Sequence, residues 1–472
     1  MSKKWWIGAM LVGIVMAAAS ALMLWHLGAE PLQDYDEATY AEVVREAFAN
    51  HNFLSFTFGG ATFVKKPPLM FWLMGASEEM FGQNAFAMRL PEAIAGIATA
   101  GLVMAIAWEV AGSAVLAALA GAILLTTAPF LETARQVRTD IFVVLFIMAA
   151  VWAFLRGLKD ERWFVLFGAL AGLAVLSKSV IAVFAFVAAA TIIILWQRFD
   201  VLKSKWLWYG AGAFLLVAAP WHLYETAQFG FAFWKQYIGV EVVARTQENL
   251  FWTVSITNGQ LVRYLFQFCE PWISIFFAAA VFAAARFWKS GNRRAGFVLA
   301  CTVSLASVMV VFFAAATKAP TYLLPAYPFA ALGIALSVPE LRARWAQNMA
   351  GALAAALVLY AGVLAVYNAY HFNPYYATYL ALARDEEVVG ERIGALLPQG
   401  QPWYVYDDEN LSDIMYYSGN LETRLLAPGE AVPHGALVVM NSNAFAQFQR
   451  TFSELRAIEL YRGSQVTLVK AE

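Results

Sequence analysis

The amino-acid sequence predicts an α-helical polytopic membrane protein of about eleven transmembrane helices, with a small α/β domain at its C-terminal end. Three observations carry this. The chain is 61% hydrophobic and only 14% charged, against about 45–50% and about 25% for ordinary soluble domains. Apolar stretches of bilayer-spanning length, about 17–25 residues, recur along the first 370 of the 472 residues. The composition changes beyond about residue 371, where the remaining chain reads as strands and amphipathic helices. A single soluble core could not hide so much apolar surface. The balance of 32 basic and 33 acidic residues excludes nucleic acid as a partner. Two cysteines, Cys269 and Cys301, make neither a disulfide framework nor a zinc cluster.

Eleven apolar stretches are expected to span: 5–27, 92–110, 113–131, 140–157, 163–178, 179–196, 206–224, 271–288, 296–316, 321–338 and 348–370. The fifth and sixth are parted only by Ser177-Lys178-Ser179, but joined they would be about 34 residues, too long for one crossing. Leu22-Met23-Leu24-Trp25 continues the first stretch past its small residues, so it reads as an uncleaved anchor. Lys3 and Lys4 place the amino terminus in the cytoplasm. Threading eleven spans from there puts Arg156, Lys159 and Arg162 on the same side. Arg198, Lys203 and Lys205 follow them, as do Lys289, Arg293, Arg294, Arg342 and Arg344. Lys318 falls on the opposite side.

That opposite side receives three long polar pieces: residues 28–91, 225–270 and 371–472. Within the first, Tyr40, Val43, Val44, Ala47 and Phe48 recur at helical spacing and predict an amphipathic helix over 36–50. A second helix over 66–81 is opened by Pro67-Pro68. Both suit the membrane surface. The tail predicts strands at 403–406 and 436–440 and helices at 384–396 and 443–455. The expected organisation is therefore a membrane domain over 1–370 and an α/β domain over 371–472.

Candidate chemistry gathers on the outer side. Asp36 and Glu37 start the first outer helix; Asp36 suits an N-cap and equally a general base, and the two roles are compatible. Lys65 and Lys66 precede Pro67-Pro68 at the membrane edge, where a lysine can meet a headgroup or a lipid phosphate. Arg138-Thr139-Asp140 opens the fourth span, Lys178 lies between the fifth and sixth, and Arg245 lies in the second outer loop. Lys318 to Tyr322 opens the tenth span. Groups from five separate loops on one face point to a convergent polar site. Walker A, HExxH and GxSxG patterns are absent, and the five histidines are scattered.

Taken in order, Asp36-Glu37, Lys66-Pro67-Pro68, Arg89-Leu90-Pro91, Arg138-Thr139-Asp140, Lys178 and the Lys-x-Pro-x-Tyr-x-x-Pro run from Lys318 to Pro325 form a pattern. It resembles the GT-C type membrane glycosyltransferases that use polyprenyl-phosphate sugars, especially aminoarabinose transferases of lipid A and bacterial relatives of protein O-mannosyltransferases. The resemblance covers about residues 1–370. It implies a multi-pass enzyme of the bacterial inner membrane with its site facing the periplasm. Such an enzyme moves a sugar from an undecaprenyl-phosphate carrier to a glycolipid, glycan or protein acceptor, with inversion.

By the same resemblance Asp36 is the catalytic carboxylate, Glu37 its neighbour and Asp140 a second outer carboxylate. Lys66 holds the lipid phosphate with help from Arg245. Arg89, Arg138, Lys178, Lys318 and Tyr322 line the lipid-side cavity. Two positions depart from the aminoarabinose transferases. Lys65 stands where they carry an acidic metal ligand, so no metal or other cofactor is expected. Thr39 stands where they carry an arginine beside the acceptor phosphate.

Two other readings compete. A flippase for a lipid-linked sugar would share the cations but need no base. A non-enzymatic sensor or assembly protein would work through its tail, which leaves the Asp-Glu and Lys-Pro-Pro pattern without a purpose.

Overall fold

Runs of Ala, Leu, Val, Ile and Phe without interior breakers make long helices here, as in α7 (Thr139–Gly157), whose only glycine is its last residue. The computed structural model describes residues 3–33, 36–248, 256–338, parts of 352–366, and then 374–398, 400–406, 412–420, 422–426 and 430–472. The helices before α7 are α1 (Lys3–Leu24), α2 (Asp36–Ala49), α3 (Leu69–Phe81), α4 (Ala85–Ala111), α5 (Ala114–Leu125) and α6 (Ala128–Thr133). After it come α8 (Trp163–Lys178), α9 (Val183–Trp196), α10 (Lys205–Phe229), α11 (Phe231–Trp234), α12 (Arg245–Gln247), α13 (Asn258–Phe268), α14 (Trp272–Ser290), α15 (Arg293–Ala314) and α16 (Ala326–Ser337). Among the described residues, five stretches are long and apolar enough to cross a membrane: Ala85–Ala111, Thr139–Gly157, Trp163–Trp196, Trp272–Ser290 and Arg293–Ala314.

The described chain forms two compact units. The first comprises residues 1–25, 65–70 and 91–371; the second comprises 26–64, 71–90 and 372–472.

In the first unit the 163–196 stretch is divided as expected. Ser179 closes α8 with a φ of 45°, a left-handed conformation, and a 3₁₀ turn over Ser179–Ala182 leads into α9. Glycines let α8 and α10 touch. A Cβ on Gly168 would lie 1.8 Å from the carbonyl oxygen of Gly210, so the two backbones are in direct contact. The stretch expected over 113–131 is instead two helices. Thr126 and Thr127 turn their hydroxyls back onto the carbonyls of Ala122 and Ile123, and Pro129 brings no N–H to continue the ladder. The stretch expected over 321–338 begins as a 3₁₀ turn, Pro320–Leu323, and becomes α-helical only at Ala326. The stretch expected over 348–370 lies largely outside the described residues.

In the second unit, Tyr40 of α2 and Phe71 of α3 meet edge to face at 5.7 Å, with Phe63 against both rings. The C-terminal residues form a five-stranded sheet in the order β4-β3-β5-β7-β6. Its strands are β3 (Trp403–Tyr406), β4 (Thr423–Leu425), β5 (Leu437–Asn441), β6 (Ala457–Arg462) and β7 (Val466–Ala471), and a separate antiparallel pair, β1 (Thr57–Phe58) and β2 (Ala61–Thr62), precedes them in the chain. β3 runs parallel to β4 and β5, whereas β7 runs antiparallel to β5 and β6. Helix Pro374–Leu396 covers one face through Val389 and Ile393 on Trp403, Val405, Val439 and Leu468. Helix Phe445–Thr451 covers the other through Phe445 and Phe448 on Val438 and Val469. The tail is fastened to the loop helices of this unit: Arg45 donates to the Gly419 carbonyl at 3.0 Å, and the Leu32 N–H donates to the Tyr417 hydroxyl at 2.9 Å.

Candidate functional site

Lys66 lies in a bend before two prolines, outside any helix, and α3 starts only at Leu69. Its ammonium donates to Glu241 Oε2 at 2.9 Å. Glu241 belongs to a π-helical stretch, Lys235–Ala244, and lies one turn before Arg245. Arg245 Nη2 is 3.2 Å from the same Oε2 and donates to Oε1 at 3.4 Å. Arg245 Nη1 donates to the Tyr322 hydroxyl at 3.0 Å. The ammonium of Lys178 sits over the Tyr322 ring, 5.0 Å from its centre, and donates to Asp140 Oδ1 at 2.6 Å. A continuous polar chain therefore runs Lys66, Glu241, Arg245, Tyr322, Lys178, Asp140. It lies wholly within the first unit and is assembled from five separate segments.

Each member is fixed locally. Asp140 is the second residue of α7, where the helix dipole favours a carboxylate. Lys178 is the last residue of α8, at the corner made by Ser179. Backbone bonds pin the Tyr322 turn to the Arg245 segment: the N–H of Thr317 donates to the Arg245 carbonyl at 2.9 Å, and that of Ala316 to Thr246 at 3.0 Å. Lys318, 7% exposed, donates to Asn258 Oδ1 at 2.7 Å and to the Phe313 carbonyl at 3.3 Å, which ties this corner to α13. Arg138 flanks α7 and donates to Gln136 Oε1 at 2.9 Å.

Glu241 escaped the reading of the sequence, although its place four residues before Arg245 on a helix was a usable signal. Burial pushes its carboxyl up, but the ammonium of Lys66 and the guanidinium of Arg245, helped by Lys65, outweigh this and hold it below the usual carboxylate range. The polar chain thus sets the cations Lys66, Arg245 and Lys178 against the carboxylates Glu241 and Asp140, with Glu241 shared between Lys66 and Arg245.

The second unit holds the other three candidates. Asp36 is the first residue of α2 and half-buried. Glu37 is buried and takes both prongs of Arg89, Nε to Oε1 at 2.9 Å and Nη2 to Oε2 at 2.6 Å. Arg89 also donates to the carbonyls of Leu27, Glu30 and Pro31. Its five N–H donors thus make five bonds. The N–H of Gln33 adds a further bond to Glu37 Oε2.

The family described as dolichyl-phosphate-mannose-protein mannosyltransferase matches residues 65–224. The chain is 25% identical over 375 residues to the undecaprenyl phosphate-alpha-4-amino-4-deoxy-L-arabinose arabinosyl transferase of Enterobacter sp. (strain 638), covering 73% of this chain and 64% of that one. It is 27% identical over 324 residues to the transferase of the same description from Erwinia tasmaniensis, covering 64% and 54%. The match therefore spans less than two thirds of the length of these curated relatives.

The crystal structure of ArnT from Cupriavidus metallidurans bound to undecaprenyl phosphate superposes with a TM-score of 0.77 at 17% identity, covering 99% of this chain and 98% of that one. The archaeal oligosaccharyltransferase AglB from Archaeoglobus fulgidus, in complex with an inhibitory peptide and a dolichol-phosphate, gives 0.61 at 12% identity, covering 95% and 71%. The chain shares the fold of these structures. The resemblance drawn from the Asp-Glu, Lys-Pro-Pro and Lys-x-Pro-x-Tyr motifs is borne out.

Proposed function

We propose that this protein is a membrane glycosyltransferase that moves a sugar from an undecaprenyl-phosphate-type carrier to an acceptor on the outer side of the bacterial inner membrane. The observation that carries the reading is the convergence of Lys66 and Arg245 on one buried anion. Two cations from distant segments, already sharing a carboxylate, suit a lipid phosphate. The ArnT structure that shares the fold was solved with undecaprenyl phosphate, which supports the same assignment.

The chemistry follows from the charges. An acceptor oxygen attacks the anomeric carbon as the bond to the phosphate oxygen breaks, and the electron pair leaves with the phosphate. Lys66 and Arg245 stabilise the charge that develops there. A hydroxyl acceptor gives its proton to Asp36, the candidate base. Attack opposite the departing phosphate inverts the anomeric centre. Asp140 and Lys178 hold each other, which suits a positioning role for the second carboxylate; Tyr322 joins Arg245 to Lys178, and Arg138 and Lys318 remain candidates for lining the lipid side. Glu37 and Arg89 are engaged with one another and with three carbonyls. That supports a structural clamp around the start of α2 rather than contact with substrate. An ammonium offers no lone pair to a metal, so Lys65 does not fit the acidic ligand position of the relatives, and no metal step enters this mechanism.

The same reading takes the chain as eleven spans with the amino terminus inside. It keeps residues 1–370 as the catalytic membrane domain and 371–472 as a periplasmic α/β domain. The sugar comes from a lipid carrier because nucleotide sugars stay in the cytoplasm; the acceptor is lipid A, another glycan or a protein. The test is transfer itself. Purified protein reconstituted in lipid vesicles is given radiolabelled polyprenyl-phosphate sugar and an envelope extract. Consumption of donor with label appearing in one acceptor fraction supports the reading. Donor that crosses vesicle membranes unconsumed would make the protein a flippase.

A further inference from the structure

We infer that the carboxylate of Glu241 is an internal stand-in for the donor phosphate: it occupies the anion position between Lys66 and Arg245 when the site is empty, and yields it when lipid phosphate binds. The inference rests on the reading of Lys66 and Arg245 as the phosphate site and adds the residue that sets its affinity. The carboxylate of Glu241 reaches both cations, with Oε2 at 2.9 Å from Lys66 Nζ and 3.2 Å from Arg245 Nη2. Its side chain is only 8% exposed, so the contacts are screened little by water. Lys66 and Glu241 are 175 residues apart in the chain, so this pairing is a feature of the assembled site and not of local sequence.

A phosphate that approaches the same two cations meets a carboxylate already there. Two anions within contact distance of each other repel strongly in a half-dry site. The phosphate can bind well only if Glu241 swings away or gives up one of its partners. The segment suits such a movement. Glu241 is carried by ten residues of π-helix, a form that is rare and mostly confined to single turns. Tightening one of these turns to an α-helical one rotates the side chains beyond it without breaking the chain's path.

The arrangement also acts on product. The donor is a phosphodiester with one negative charge, whereas the lipid phosphate left after transfer is a monoester whose second ionisation lies near neutrality. The product therefore holds the cations more tightly than the donor does, and a returning Glu241 opposes that retention. Glu241 is in this sense a positioning residue: it arranges the cations before binding and hastens release afterwards.

The test compares wild type, Glu241→Gln, Glu241→Asp and Lys66→Ala in nanodiscs, with undecaprenyl phosphate as the binding probe and undecaprenol as the uncharged control. Gln keeps the shape and an acceptor oxygen for Lys66 and Arg245 but removes the competing charge. Glu241→Gln is expected to bind undecaprenyl phosphate about 10-fold more tightly, a change of about 1.4 kcal/mol, with undecaprenol unaffected. Turnover is expected to show KM and kcat falling together, as slow release predicts, while Glu241→Asp stays near wild type. Unchanged or weaker phosphate binding by Glu241→Gln, with binding still lost in Lys66→Ala, would overturn the role of Glu241 and leave the phosphate site standing. Phosphate binding unaffected by Lys66→Ala would remove the phosphate site and this inference with it. Hydrogen exchange over 235–245 in the wild-type protein gives an arm independent of any variant. Saturating undecaprenyl phosphate is expected to raise exchange there, and an unchanged rate counts against the inference.

Discussion

Lys66 and Asp36 stand for the two ways in which a single residue became visible. Lys66 announced itself by its neighbours, because Pro67-Pro68 keeps it out of a helix and available to an anion. Its removal is expected to weaken donor binding by about 2–5 kcal/mol, as for other charge pairs broken in buried sites; Lys65→Ala, which alters an exposed lysine, should have a much smaller effect. Donor titrations of the two variants side by side check this. For Asp36, the substitution to Asn keeps a cap-forming oxygen but cannot take a proton. The expected result is a folded protein that binds donor normally and turns over roughly 10²–10⁴-fold more slowly. Near-normal turnover would move the base to Asp140. Asp36, Lys66, Asp140 and Lys178 were legible because each sits at a helix start, a helix end or beside a proline, where a polar side chain next to an apolar stretch stands out. Glu241 was legible only through its place four residues before Arg245; its other partner is a lysine on another segment, and no spacing in the chain encodes that meeting.

Elements were legible where composition punctuates them and obscure where hydrogen bonding does. Ser177-Lys178-Ser179 marks the corner between α8 and α9 in plain sight. The break near Thr126 does not show in an apolar profile, because threonine hydroxyls and a single proline make it. In the tail, β3 and β5 were visible as short apolar runs, while β4, β6 and β7 were passed over; β6 is an edge strand of mixed burial whose pattern only a paired neighbour explains.

Two expectations belong to elements. Gly168→Ala places a methyl group into the backbone of α10, so it should lower detergent-solubilised yield and Tm sharply, whereas Gly212→Ala, whose Cβ meets nothing within 4 Å, should not. The second concerns α3 and α2. Burial raises the Glu78 carboxyl to about 7, against the pull of Arg45 and with the push of Glu42 and Glu79, and the buried Tyr416 hydroxyl stands near it. In the unfolded chain Glu78 titrates near 4.5. Below that both states hold the proton; above it the unfolded state releases its proton first. Stability should therefore fall as pH rises from about 4.5 to about 7 and level off beyond. Melting curves at pH 5 and 7.5 should show the decline, and Glu78→Gln should shrink it.

At the scale of the whole molecule, the two compact units are each assembled from separated stretches of chain, so no cut in the sequence separates them. The boundary that composition reads near residue 370 marks where the apolar stretches end. The proposed topology has a direct check. Leu425 is exposed on β4 and both native cysteines are buried, so Leu425→Cys offers a single accessible thiol. Labelling from outside in intact spheroplasts is expected, and protection there would reverse the orientation.

The clamp between Glu37 and Arg89 carries a consequence for how this protein can vary. A guanidinium that fills every donor with one carboxylate and three carbonyls leaves no room for gradual replacement. Lysine cannot reproduce the fork, and a neutral residue at either position strands a buried charge at the other. Asp36 adjoins Glu37, so a lost clamp lets the start of α2 drift and takes turnover with it while leaving the cations of the first unit intact. Positions 37 and 89 should consequently change hands together across related sequences, as a coupled pair separated by 52 residues. An alignment in which they vary independently would show that the start of α2 is held by something else.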